Sequence, residues 1–197
     1  RRNEQINQSF VGYEGRLSYK ELNESFSVAS SDIKDLKALL RMENKLDLVS
    51  PSMSLQQLQS VKEFCQTYDI DLFSLAYMDE GFGDDWLKTN DISANCRGVK
   101  ELNINSNKEA FVTSFKDAEL VINFDHDLLK HQVLHNKKLV QFTTSNCDTH
   151  YELIFAIADF AHDSGTIINC DGIRQDFYAT KYKNEIPTLV ELLGELV

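Results

Sequence analysis

Proline and glycine are scarce in this 197-residue chain, at 2 and 8 copies. That scarcity excludes a collagen-like, linker-rich or low-complexity protein. No apolar run approaches the roughly 18 residues that a membrane span needs. No apolar stretch of secretory type lies near the N-terminus, so a cytoplasmic protein is expected. The opening Arg1-Arg2-Asn3 leaves a removed leader open. The 4 cysteines, Cys65, Cys96, Cys147 and Cys170, are far apart and form no C-x-x-C pair. They fit neither a zinc ribbon nor a disulfide scaffold, and buried free thiols are the expectation. G-x-G-x-x-G, the P-loop pattern and G-x-S-x-G are missing as well. Their absence removes the commonest nucleotide-binding and serine-hydrolase readings.

What remains is enough apolar material for a real core and a strong excess of acid. Hydrophobic residues make up 42% of the chain and aromatics 10%, which argues against disorder. One domain's worth of sequence is present. With 31 acidic and 20 basic residues the net charge is -11. Such a surface repels nucleic-acid phosphates and anionic lipid, so neither nucleic acid nor membrane is expected as a partner. A basic protein is. The acid is unevenly spread: residues 1–50 hold 8 basic and 8 acidic side chains, residues 51–95 hold 2 and 8.

Patterning divides the chain into a helical N-terminal segment, 1–50, and an α/β domain, 51–197. Ser18 and Glu21 form an S-x-x-E capping box, and Ile33, Leu36, Leu39 and Leu40 recur at helical spacing. Leu46 to Val49 alternates as a short strand does. Ser54 to about Tyr68 reads as a helix with Leu55, Leu58, Val61, Phe64 and Cys65 on its buried stripe. Asp71–Tyr77, Leu120–Phe124 and Leu139–Thr143 read as strands, with a short helix over Glu109–Phe115. Val99, Leu102 and Ile104 suggest another strand. Thr149 and Glu152 resemble a capping box opening a helix through Phe160 that ends at Gly165. Thr166–Cys170 then reads as a strand closed by Asp171-Gly172, giving a β-α-β order. A further strand over Phe177–Thr180 and a helix from Pro187 to about Leu196 complete the pattern. The expected fold is α/β, a mixed sheet of about five strands packed with helices; antiparallel α+β is the alternative.

Four features could carry chemistry. The segment Asp79, Glu80, Gly81, Phe82, Gly83, Asp84, Asp85, Trp86 sets carboxylates beside aromatic anchors, a hot-spot composition. Its carboxylates and aromatics are the candidate partner-binding residues, although Phe82 and Trp86 could equally fold onto the core. It lacks the EF-hand order. Asp125-His126-Asp127 with His131 and His135 offers ligands for zinc or another divalent metal, since a helix over 127–135 would align Asp127, His131 and His135. Gln132 stands where a zincin needs its Glu, so hydrolysis by that route is not expected. Cys147 near a helix start, with His150 and His162 nearby, has the ingredients of a nucleophile but no flanking signature. Leu17 to Leu40 resembles a helix-turn-helix. Its second helix, however, would open with Ser30, Ser31, Asp32, Lys34 and Asp35, and so present two carboxylates and no Arg to DNA.

The function expected from these features is a non-catalytic, acidic protein-binding module without a cofactor. By charge and size, an immunity or antitoxin-like inhibitor of a basic partner is one example. A metal-dependent enzyme at the Asp125–His135 cluster and a helix-turn-helix regulator are the competing readings.

Overall fold

The computed structural model describes residues 33–75, 91, 93–126, 129, 136–144, 151–180 and 186–197. Five parallel strands form its centre: β1 Lys45–Val49, β2 Asp71–Phe73, β3 Leu120–Phe124, β4 Lys138–Thr143 and β5 Leu153–Ala156. Their order is β2-β1-β3-β4-β5, and every neighbouring pair is parallel. The fold is α/β. Parallel sheets need cover on both faces, which is why β3 reads as a continuous apolar run, Leu-Val-Ile-Asn-Phe, buried throughout.

Residues 33–39 are helical (α1), and α2 Leu55–Tyr68 follows β1. Both pack on one face with α5, Leu189–Gly194. That face holds Val49, Ile122, Phe124, Val140, Phe142 and Phe155 from the sheet. The other face carries Leu46, Leu48, Val121 and Leu139 against Phe111 of α4, Lys108–Asp117. A shorter helix, α3 Cys96–Glu101, precedes α4. Leu36, Leu39, Leu40 and Val49 thus belong to the core on one face of the sheet and Leu46 and Leu48 to the core on the other.

Local chemistry sets these boundaries. Ser54 caps α2 by accepting from Gln57 N, while Gln57 Oε1 accepts from Ser54 N at 2.9 Å. Two neutral side chains thereby satisfy two otherwise orphaned amides. Asp69 ends the helix in the left-handed region, φ 52°, where Asp is tolerated better than most residues. Thr188 and Glu191 form the same reciprocal cap on α5. In register across the sheet, Phe124, Phe142 and Phe155 stack at centroid separations of 4.4 and 4.9 Å.

Several expectations fail. The helix over 149–160 is absent from the described part: Leu153–Ala156 is β5, paired parallel to β4. The run Leu-Ile-Phe-Ala-Ile-Ala is apolar on every residue, and periodicity alone cannot tell a fully buried strand from a buried helix. The β-α-β unit falls with it. Gly165–Ile168 (β6) pairs antiparallel with Arg174–Phe177 (β7) in a separate two-stranded sheet. Gly165 therefore opens a strand instead of capping a helix. Val99 and Leu102 are not in a strand either, since α3 runs through Glu101 and Ile104 N returns to Val99 O.

No helix among the described residues is long and apolar enough to cross a membrane.

Candidate functional site

In an open parallel sheet, ligands bind beyond the carboxyl ends of the strands, where the strand order reverses. Here that switch lies between β1 and β3. The two strands stay joined past their ends, with Ser50 N donating to Phe124 O at 2.9 Å. A cleft of about 260 Å³ opens there, lined from β1 and α2 by Ser50, Ser54 and Gln57, from β3 and β4 by Asp125 and Thr144, and beyond β5 by Asp159 and Asp163.

The last residues of each strand place these groups. Asp125 follows β3 with φ 52°, a conformation Asp adopts at less cost than branched residues. Its carboxylate accepts from Thr143 Oγ1 and Thr144 Oγ1, both at 3.1 Å. Asp159 accepts from Ala161 N at 3.0 Å and from His162 Nδ1 at 2.6 Å. Asp163 accepts from Ser164 N at 2.7 Å and from Gln57 Nε2 at 2.8 Å. Burial pushes the Asp163 carboxyl above its ordinary value, against the pull of these two hydrogen bonds.

Asp163 decides what the cleft can hold. Helix N-termini attract anions through their partial positive charge. At the first turn of α2 the protein's own Asp163 carboxylate sits on the side-chain amide of Gln57. The lining contains three carboxylates and no Lys, Arg or His among the described residues. A phosphate would meet repulsion there, whereas a cationic group would meet an attractive field.

Residues 163–168 are fastened over the start of α2. Thr166 N donates to Gln56 Oε1 at 2.9 Å, and Ile168 N donates to Asn95 Oδ1 at 2.8 Å. Asn95 in turn donates to Met53 O at 2.7 Å. A Cβ on Gly165 would stand 2.5 Å from Ser54 Cβ, so only glycine permits this approach. On the same wall the rings of Phe160 and Phe177 lie 4.9 Å apart.

The sequence candidates fall as follows. Asp79, Glu80, Phe82, Asp84, Asp85 and Trp86 lie outside the described residues, as do Asp127, His131, His135, Cys147 and His150. The described chain stops at Leu75, just beyond the carboxyl end of β2, and resumes at Asp91, four residues before Asn95. Asp125 and His126 are described and serve different surroundings. Asp125 faces the cleft, while buried His126 donates from Nε2 to Leu75 O at 3.1 Å. Among the described residues no group of three His, Cys, Asp or Glu is placed to hold a metal. Within the suspected helix-turn-helix, residues 33–40 are described, and there Leu36, Leu39 and Leu40 are spent on the core.

Asp159 and Asp163 escape a reading of sequence alone because both sit where a helix was expected. Reading Leu153–Ile157 as a strand would have put Asp159 at its carboxyl end, the place where sites gather in such sheets.

One buried polar pair lies elsewhere. Asp47 in the middle of β1 is fully buried and accepts from Cys65 Sγ at 2.9 Å, while its Oδ1 has no hydrogen-bond partner among the described residues. Burial drives the Asp47 carboxyl well above the usual range, and burial together with the Asp47 charge drives the Cys65 thiol up as well. A thiol held protonated is a poor nucleophile.

The chain matches no protein-family model and no curated protein.

Proposed function

We propose that this chain is a non-catalytic binding domain for a basic protein partner, with its working surface along the carboxyl edge of the sheet. One observation carries this reading: the switch-point cleft is lined by three carboxylates and no described cation, in a chain of net charge -11. Each of those carboxylates is held by hydrogen bonds, Asp125 from Thr143 and Thr144 at the end of β4 and Asp159 and Asp163 from their own loop, which suits a fixed electrostatic surface. The acidic segment Asp79–Trp86 belongs to the same proposal. The described residues that flank it, Leu75 and Asp91, lie after β2 and shortly before the cleft residue Ala94. An inhibitor of a basic protein is one instance of such a module. A reducing, cytoplasmic setting agrees with Cys65, Cys96 and Cys170 standing as free thiols.

The test is a binding titration with the basic partner recovered by affinity capture of the tagged chain, read at low and at physiological ionic strength. Asp79→Lys, Glu80→Lys, Asp84→Lys and Asp85→Lys together should slow association about tenfold or more and flatten its salt dependence. Unchanged affinity and unchanged salt dependence across that series would remove the proposal.

A further inference from the structure

One wall of the cleft is aromatic, and it is wet. Phe160 keeps 71% of its surface in solvent while its ring rests against that of Phe177, which also lines the cleft. Asp159 immediately precedes Phe160, and Asp163 lies three residues beyond it. Large aromatics left exposed beside charge are a recurrent feature of recognition surfaces. The neighbouring groups decide which partner fits. An anion is opposed by Asp125, Asp159 and Asp163. An aliphatic side chain would strip water from those carboxylates and return no hydrogen bond. A cation gains from both features, because a ring face attracts positive charge and a carboxylate accepts its N–H groups.

Among cationic side chains, the guanidinium fits better than the ammonium. It is planar and weakly hydrated, stacks on ring faces, and carries five donors in a fork. Asp163 accepts two hydrogen bonds, and a carboxylate has room for about four.

We infer that the cleft takes the guanidinium of an arginine side chain presented by a basic protein, lying on the open face of Phe160 and directed toward Asp159 and Asp163. This rests on the reading of the chain as a binder of a basic partner and assigns that partner's anchoring residue.

Two peptides of equal length and charge, one carrying only arginine as its basic residue and the other only lysine, test it by calorimetric titration at low salt. The arginine peptide should bind the wild-type chain about threefold or more tighter. Phe160→Ala should abolish that preference, weakening the arginine peptide more than the lysine peptide. Because Phe160 is exposed, the variant should melt as the wild type does, which circular dichroism checks. Asp163→Asn should weaken both peptides. Equal affinity for the two peptides in the wild type overturns the arginine assignment and leaves the binder reading standing. An arginine preference that survives in Phe160→Ala also overturns it, since the preference then arises elsewhere. If neither peptide binds, the assignment falls and so does the basic-partner reading.

Discussion

Asp47 is the residue whose chemistry and position conflict most. It occupies the centre of β1, between Leu72 and Ile122 in register, with one oxygen unpartnered among the described residues. Burial raises its folded-state pKa, so the native state keeps the proton at pH values where the unfolded chain has released it. Its contribution to stability is complete below the unfolded value near 4 and is lost as pH rises through the raised folded value. The slope reaches up to about 1.4 kcal/mol per pH unit. Asp47→Val removes the ionisable group at the cost of the weak Cys65 S–H bond and the backbone contact to Leu48. The variant should be more stable at neutral pH by about 1–3 kcal/mol, and the gain should shrink toward pH 4. Urea denaturation of both proteins across that range checks this; a gain independent of pH would refute it. Gly165 behaves oppositely. A methyl there collides with Ser54, the cap of α2, and the backbone around it has little freedom. Gly165→Ala should therefore cost about 1–3 kcal/mol, read as a lower urea midpoint at unchanged slope.

At the scale of elements, the cap of α2 and the phenylalanine ladder contribute unequally to the buried face of the sheet. Phe142 is fully buried between Phe124 and Phe155, so Phe142→Ala should destabilise by about 3–5 kcal/mol. Ser54→Ala should cost about 1 kcal/mol through the lost cap. Chemical denaturation ranks the two, and a cap loss equal to the ladder loss would refute that order. The same elements show why some of the fold is legible in sequence. The helix α2 announces itself because its cap, its stripe of Leu58, Val61, Phe64 and Cys65, and its end all agree. The strand β3 does so through its apolar, β-branched run between polar residues. By contrast, β5 is hidden because total burial erases periodicity, and a capping-box pattern at Thr149 and Glu152 pointed to the wrong element. Glu152 instead faces Lys138 of the neighbouring strand at 3.5 Å, an ion pair made only once the sheet has formed. The order of strands was not readable at all. It depends on which edges pair across long separations, as Asp47 with Ile122. The cleft is a product of that order, so Asp159 and Asp163 could be recognised only after it.

At the scale of the whole molecule, a net charge of -11 acts on folding and on association with opposite sign. Like charges distributed over a compact surface repel, and this self-repulsion weakens the folded state. Salt screens it, with a Debye length that shrinks to about 8 Å at physiological ionic strength. The isolated chain should therefore melt higher as sodium chloride is added from low salt, each ~1 kcal/mol recovered raising the midpoint by about 2–4 °C at this chain length. On the proposed reading the same screening acts on the attraction between the carboxylates of the cleft and a basic partner, so binding should weaken over the same range. Measured together, the two trends separate a charge that merely keeps the protein dispersed from a charge used in recognition. A chain whose acid served only solubility would gain stability with salt and show no salt-sensitive binding. If Asp125, Asp159 and Asp163 form a working surface, neutralising them as Asp→Asn should reduce the salt dependence of binding more than it reduces the salt dependence of melting. Three charges are a small part of the molecule's total field but dominate the field inside the cleft, where they lie closest to the bound cation.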